Sequence, residues 1–133
     1  MDHRGRLKTL QRALDDNRVD ALLVTHLPNI RYLCGYSGTA GALLLSETGA
    51  RFFTDGRYRE QARAEVEGCR VEIARKPPLV AAAEWLTERA GKKRSSAEKL
   101  GIESEHLTVA GRVQLARLLR REFRLRETRG LVE

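Results

Sequence analysis

Three glycines, Gly35, Gly38 and Gly41, stand at intervals of three between two apolar runs in NIRYLCGYSGTAGALLLSE, residues 29–47. A glycine loop that opens a helix can hold phosphate, because the first helical N–H groups face the anion. Here the spacing is GxxGxxG rather than GxGxxG, a strand-like run follows, and no Lys–Ser/Thr pair of the phosphate-loop kind is present. Phosphate binding is therefore set aside. Glycine permits positive φ and close backbone approach, which suits Gly35 and Gly41 where a short helix turns into a strand. Tyr36, Ser37 and Thr39 lie between the glycines, and tyrosine beside small hydroxyl residues makes an adaptable contact surface. That composition fits a recognition loop better than a plain connector.

The remaining reactive side chains do not converge in sequence. His3, His26 and His106 are far apart, and no HExxH occurs. The segment IESEH, residues 102–106, gathers Glu103, Glu105 and His106, but a charged strand-to-helix turn is expected to be solvated. In TDGR, residues 54–57, Asp55 could act as a base. Its first expected role is a turn, with Arg57 or Arg59 as its ion partner. Cys34 and Cys69 form neither a disulfide framework nor a CxxC site, so both are expected to be small buried residues. No catalytic residue and no metal ligand is assigned to this chain.

The elements that must position the loop follow from periodicity. Leu7, Leu10, Ala13 and Leu14 predict an amphipathic helix over 5–17. VDALLVT, 19–25, is a continuous apolar run of strand length, as expected of a strand covered on both faces. Pro28 can begin a short helix. The runs 41–47 and 50–55, separated by a Thr-Gly step, predict a hairpin. A helix follows over 56–68, ending at Gly68, then an alternating strand over 69–74. After Pro77 and Pro78, the positions Leu79, Ala82, Ala83, Leu86 and Ala90 mark a helix closed by Gly91. A polar stretch over 92–99 leads to a short strand at 100–104. Thr108 caps the next helix, whose inner stripe is expected to be Val109, Val113, Ala116 and Leu119. Residues 124–128 are expected to form an edge strand. This alternation predicts an α/β fold, a mixed β-sheet flanked by helices, in one domain over 1–133.

The chain has 133 residues, the size of one ordinary domain. No apolar run approaches the roughly 20 residues needed to span a bilayer, and the N-terminus lacks a signal-peptide core, so a cytoplasmic location and no membrane partner are expected. Lys and Arg number 25 against 18 Asp and Glu, a formal net charge of +7. A basic balance raises the possibility of nucleic acid as a partner, with the arginine-rich segment 112–129 as the candidate. The cations are scattered among glutamates and no aromatic stacking set interleaves them, which favours dispersed surface charge.

Taken together, NIRYLCGYSGTAGALLLSETGARFFTDGRYREQA resembles the N-terminal domain of the creatinase/prolidase family: Xaa-Pro dipeptidases, Xaa-Pro aminopeptidases (aminopeptidase P) and creatinase. Asn29, Ile30, Tyr32, Leu33, Gly35, Tyr36 and Gly38 match one motif. Thr54, Asp55, Arg57 and Tyr58 match a second, followed by Gln61 and Ala62. The resemblance covers essentially the whole chain and implies a three-layer architecture. It implies that a larger catalytic domain, absent from these 133 residues, binds two divalent metal ions (Mn, Co or Zn) and hydrolyses Xaa-Pro bonds, so that this chain is an isolated domain or an excised piece. It further implies a homodimer in which Asn29, Arg31, Tyr36, Ser37, Gly38 and Arg57 belong to the rim of a pocket for a proline-containing peptide. Arg31 or Arg57 would meet a substrate carboxylate or serve in a structural salt bridge. The alternatives are the N-terminal domain of a creatinase-type amidinohydrolase, or a freestanding basic module that binds nucleic acid.

Overall fold

A 14-residue helix is marginal in water by itself, so α1 (His3–Asp16) depends on what it buries. Leu7, Leu10 and Leu14 fall on one face and are almost fully buried. Burying a leucine contributes about 1.5–3 kcal/mol, more than the helix-propensity differences among the other positions. Asp2 closes the first turn by accepting the Gly5 N–H at 2.9 Å. The computed structural model describes residues 2–90, 98–119 and 123–132.

Six strands follow one another across a single sheet in the order β4-β3-β2-β1-β5-β6. They are β1 (Ala21–Val24), β2 (Ala42–Ser46), β3 (Gly49–Asp55), β4 (Arg70–Ala74), β5 (Glu98–Glu103) and β6 (Phe123–Thr128). Only β2 runs against its neighbours, pairing antiparallel with both β1 and β3. The β1–β5, β3–β4 and β5–β6 pairs are parallel. The hairpin is formed as expected, with Ser46 opposite Gly49. The carboxyl ends of five strands consequently share one edge of the sheet with the loop that enters β2.

The central strand β1 is buried at every residue, which explains its unbroken apolar run. Leu22 and Val24 face one core with Leu43, Leu45 and Phe52. That core is covered by α1, α2 (Leu27–Cys34) and α3 (Arg59–Glu65), with a single 3-10 turn, Gly56–Tyr58, leading into α3. Ala21 and Leu23 face the other core, covered by α4 (Pro78–Ala90) and α5 (Val109–Leu119). The result is the three-layer α/β fold that the sequence predicts.

Most boundaries shift by one to three residues, and three of these shifts and one face are instructive. The helix expected to reach Gly68 ends at Glu65: Val66 is extended, and the Glu67 N–H bonds the Cys34 carbonyl at 2.9 Å. Strand β5 begins at Glu98 rather than 100, because pairing with Phe123 and Arg124 sets its length, not hydropathy. Strand β6 begins one residue early, at Phe123. In α5 the buried residues are Leu115 and Leu119, whereas Val109 and Val113 are exposed. The helix packs mainly on α4 along a narrow i, i+4 seam, and its first turn overhangs that contact. The expected stop at Gly91 and most of the polar stretch 92–99 lie outside the described residues.

Candidate functional site

The loop over 35–41 starts where α2 must stop. Gly35 adopts a left-handed backbone, φ +87°, and its N–H bonds the Arg31 carbonyl at 2.9 Å. A Cβ there would sit 3.0 Å from both the Glu65 carbonyl oxygen and a His3 ring carbon. Conformation and space both require glycine.

Tyr36 turns inward instead of out. It is 1% exposed and packs its ring on Phe52, centroids 4.4 Å apart. Its hydroxyl donates to the Ala40 carbonyl at 2.7 Å, and the Thr54 hydroxyl donates to the same oxygen at 2.7 Å. One carbonyl thereby ties the loop's far end to both the tyrosine and β3. Burial pushes the Tyr36 phenol above its ordinary pKa. Gly38 lies over this phenol; an added Cβ would fall 2.1 Å from the Tyr36 oxygen.

Ser37 and Thr39 point the other way. The Ser37 N–H and hydroxyl both donate to Glu65 Oε1, at 2.9 and 3.0 Å, and Gln61 donates to Ser37 Oγ at 3.2 Å. The Ser37 backbone N–H is the chief reason the Glu65 carboxyl lies below its ordinary pKa; Arg31 contributes a smaller Coulomb attraction. Thr39 bonds the Tyr58 hydroxyl. Tyr58 in turn stands edge-on to Tyr36 at 6.3 Å and under the Arg57 guanidinium at 5.3 Å.

Arg57 is exposed and pairs bidentately with Asp55: Nε to Oδ1 at 3.1 Å and Nη2 to Oδ2 at 2.9 Å. The Asp55 side chain also accepts the Arg57 N–H at 3.0 Å, so the expected turn and its expected ion partner are the same pair. This pairing holds the Asp55 carboxyl below its ordinary pKa. Beside it opens a cleft of about 800 Å³ lined by Asp55, Arg57, Arg59, Arg75, Lys76 and Pro77. The cleft is cationic, with Lys76 bound to Glu84. The guanidinium groups lining this cleft can bind anionic groups by charge-assisted bonds, while the Ser37 and Thr39 hydroxyls are engaged with Glu65 and Tyr58.

The six residues of the expected rim therefore divide. Arg31, Ser37 and Arg57 are exposed around the loop, while Tyr36 and Gly38 are buried beneath it. Asn29 is in the first turn of α2, away from the loop, and is 7% exposed. Its amide donates to Glu103 Oε2 at 2.6 Å. Glu103 itself corrects the expectation of a solvated turn. It is 7% exposed, and its Oε1 accepts the Thr25 and His26 N–H groups at 2.7 and 3.0 Å. An anionic acceptor at the start of α2 satisfies orphan donors and complements the helix dipole. His26 stacks on His106 there, rings 3.6 Å apart and 6° from parallel. Among the described residues, no group of three or more His, Cys, Asp or Glu side chains could hold a metal ion. No described helix is long and apolar enough to cross a membrane.

A mixed six-stranded sheet between two helical layers, with a braced polar loop at the strand ends, defines a three-layer α/β domain. The model of the Creatinase/Prolidase N-terminal domain matches residues 6–133, and the chain belongs to that family. It is 33% identical over 103 residues to the uncharacterized peptidase YqhT of Bacillus subtilis (strain 168), covering 77% of this chain and 28% of that protein. The N-terminal domain of cytoplasmic peptidase PepQ from Mycobacterium tuberculosis H37Rv superposes with a TM-score of 0.80 at 36% identity, covering 97% of this chain and 96% of that one. The Xaa-Pro dipeptidase from Bacillus anthracis gives a TM-score of 0.84 at 30% identity, covering 98% of this chain but 35% of the dipeptidase. The chain thus spans about a third or less of the full-length relatives it matches.

Proposed function

We propose that this chain works as the non-catalytic N-terminal domain of a cytoplasmic Xaa-Pro peptidase, supplying a dimer contact and part of the rim of a pocket for proline-containing peptides. The catalytic region, with two divalent metal ions (Mn, Co or Zn), lies outside these residues in this reading. When bound, such ions would supply Lewis acidity for hydrolysis of the bond before proline.

The observation that carries the reading is the bracing of loop 35–41. Tyr36, Thr54, Glu65 and Tyr58 fix it from below and from both sides, yet Ser37 and Thr39 remain exposed. A rim that is already ordered loses little entropy when a peptide docks, and so contributes to binding and orientation. Arg31, Ser37 and Arg57 are the side chains that would reach a peptide. Tyr36 and Gly38 act by holding them, and Asn29 acts by anchoring the start of α2. Because Asp55 already occupies the Arg57 fork, Arg31 is the freer of the two to meet a substrate carboxylate.

Kinetics test this in a chain that carries the domain together with its catalytic region. Ser37→Ala should raise KM severalfold and leave kcat nearly unchanged, since a rim contact is made equally in the ground and transition states. A loss confined to kcat would overturn the rim role. The 133-residue chain by itself should hydrolyse no Xaa-Pro peptide in the presence of Mn²⁺, Co²⁺ or Zn²⁺, and turnover that tracks the protein through purification would contradict the non-catalytic assignment.

A further inference from the structure

Strands β3 and β4 start side by side, with Arg51 in register with Arg70. Strand alternation sends Arg51 and Phe53 to the face that α4 covers, since Phe52 belongs to the opposite core. The C-terminal half of α4 brings Trp85 and Arg89 over the same place. A cleft of about 570 Å³ opens there, walled by Ser46, Thr48, Arg51, Arg70, Trp85 and Arg89. It lies at the amino end of β3, whereas loop 35–41 is tied to the carboxyl end through Thr54.

The three guanidinium groups of this cleft are unequally engaged. Arg51 is bound to Glu72. Arg70 approaches the same carboxylate only loosely, Nε to Oε1 at 3.9 Å, and its side chain is 75% exposed. Arg89 meets a hydroxyl instead of a carboxylate: its Nη2 donates to Thr48 Oγ1 at 3.4 Å. One carboxylate against three guanidinium groups leaves two positive charges unmatched. Neither Glu47 of the turn nor Glu88 of α4 lines the cleft. Trp85 orders the cations, with Arg51 Cζ 4.4 Å and Arg89 Cζ 5.4 Å from its ring centroid. Such contacts restrict the rotamers of both arginines, and a guanidinium stacked by its face keeps its N–H edge for an anion. The Ser46 and Thr48 hydroxyls are 3.0 Å apart, and one proton suffices between them, so the other can turn to a ligand.

The geometry points to a binding site for a phosphate monoester of a small organic molecule. Arg70 and Arg89 take the phosphate, and Leu44, Ala50 and the indole take the organic part. A dianion matches the two unmatched charges, where a single carboxylate would leave one over. Guanidinium groups bind phosphate oxygens by charge-assisted hydrogen bonds. The cleft lies in the size range of small-molecule sites, roughly 300–1,000 Å³, and is larger than a bare phosphate fills. Because the arginines are already held, binding loses little side-chain entropy. The site is independent of any role of loop 35–41 in a pocket rim.

Trp85 is the chain's single tryptophan, so its indole N–H resonance reports on this cleft alone. Phenyl phosphate is titrated into the 133-residue chain at constant ionic strength and about pH 8, above the second phosphate pKa of about 6. The indole resonance should move along a saturable curve. Inorganic phosphate should saturate the same site more weakly. Benzoate, a ring with a single charge, should bind about tenfold more weakly than phenyl phosphate, and Arg89→Gln should weaken phenyl phosphate by about the same factor. Arg70→Gln, at an exposed position where folding is not at stake, should weaken it severalfold. Arg124→Gln, on the far edge strand, should leave the midpoint unchanged. A shift that sodium chloride of equal ionic strength reproduces, or an unaltered midpoint in both Arg89→Gln and Arg70→Gln, would overturn the site. Benzoate binding as tightly as phenyl phosphate would overturn the dianion. Inorganic phosphate binding as tightly would overturn the ester.

Discussion

Glu65 makes the position of Ser37 depend on pH. The Ser37 backbone N–H lowers its pKa most; desolvation, the next-largest cause, opposes this, and the Ser37 hydroxyl, Gln61 and Arg31 add to the lowering. A carboxyl whose folded pKa is depressed stabilises the fold above its unfolded pKa, and that contribution is lost as pH falls through the folded value. The loop tether should thus persist at neutral pH and release only below the ordinary value of 4.5. The amide resonance of Ser37 should titrate with a midpoint under 4.5, and Glu65→Gln should abolish that titration. A midpoint at or above the ordinary value would show that the tether is absent in solution. The same scale explains Gly38. Its Cβ would strike the Tyr36 oxygen at 2.1 Å, so Gly38→Ala must push the phenol off the Ala40 carbonyl. The glycines between the apolar runs were readable as turn residues, but the reason for Gly38 is a side chain that turns inward, and spacing does not reveal that direction.

Among the elements, α2 depends most on a distant residue. It has eight residues, too few to persist alone. Glu103 at the end of β5 accepts three hydrogen bonds from its start. Hydrogen bonds to a charged acceptor contribute about 1.5–3 kcal/mol, and stranding buried donors costs more than a balanced removal. Glu103→Ala should therefore destabilise the chain by about 3 kcal/mol or more. Glu103→Gln, which keeps a carbonyl acceptor for the two backbone N–H groups, should cost about half as much. Urea midpoints with an unchanged m-value would measure both; losses under about 1 kcal/mol in both variants would mean that charge and hydrogen bonding at this cap do not matter. Legibility follows the same division. The strands and helices were legible because alternation and helical periods are local and the turns carry Gly, Pro or Asp. The role of Glu103 was not, because its partners lie 74 to 78 positions away. One signal was present: in Leu100-Gly101-Ile102-Glu103 the strand period puts Glu103 on the face opposite Leu100 and Ile102, the face that α2 covers. The phase of α5 was misread for a related reason. Its apolar residues allow two stripes that share Leu119, which is buried as expected, and only the position of α4 selects Leu115 over Val109, Val113 and Ala116. Within the candidate site, the loop itself was legible, while the inward turn of Tyr36 and the burial of Asn29 were not.

For the whole molecule, the question is whether a net charge of +7 constitutes a nucleic-acid surface. Several cations are already spent in ion pairs: Arg51 with Glu72, Arg57 with Asp55, Lys76 with Glu84 and Arg112 with Glu127. Among the described residues, other exposed cations are divided between opposite layers and opposite sheet edges, with Arg12 on α1, Arg31 on α2, Arg63 on α3, Arg117 on α5 and Arg124 and Arg126 on β6, while Arg70 on β4 lies 3.9 Å from Glu72. Arg124 and Arg126 lie on an edge strand, where exposed charge discourages pairing with another sheet. Tight duplex binding needs many phosphates neutralised along one track, and each releases counterions, so that affinity falls steeply with salt. Charges on opposite faces cannot reach one duplex together. A short DNA duplex should accordingly bind weakly at low ionic strength and dissociate fully near 0.15 M salt, where the Debye length is about 8 Å, with a slope that corresponds to only a few phosphates. Fluorescence anisotropy over a salt series measures this directly. Binding that survives 0.15 M salt with a steep slope would restore the nucleic-acid reading, and would require the arginines of α5 and β6 to act as one surface. The expected result leaves the positive charge as a general field around the domain, one that favours an acidic protein surface over a polyanion.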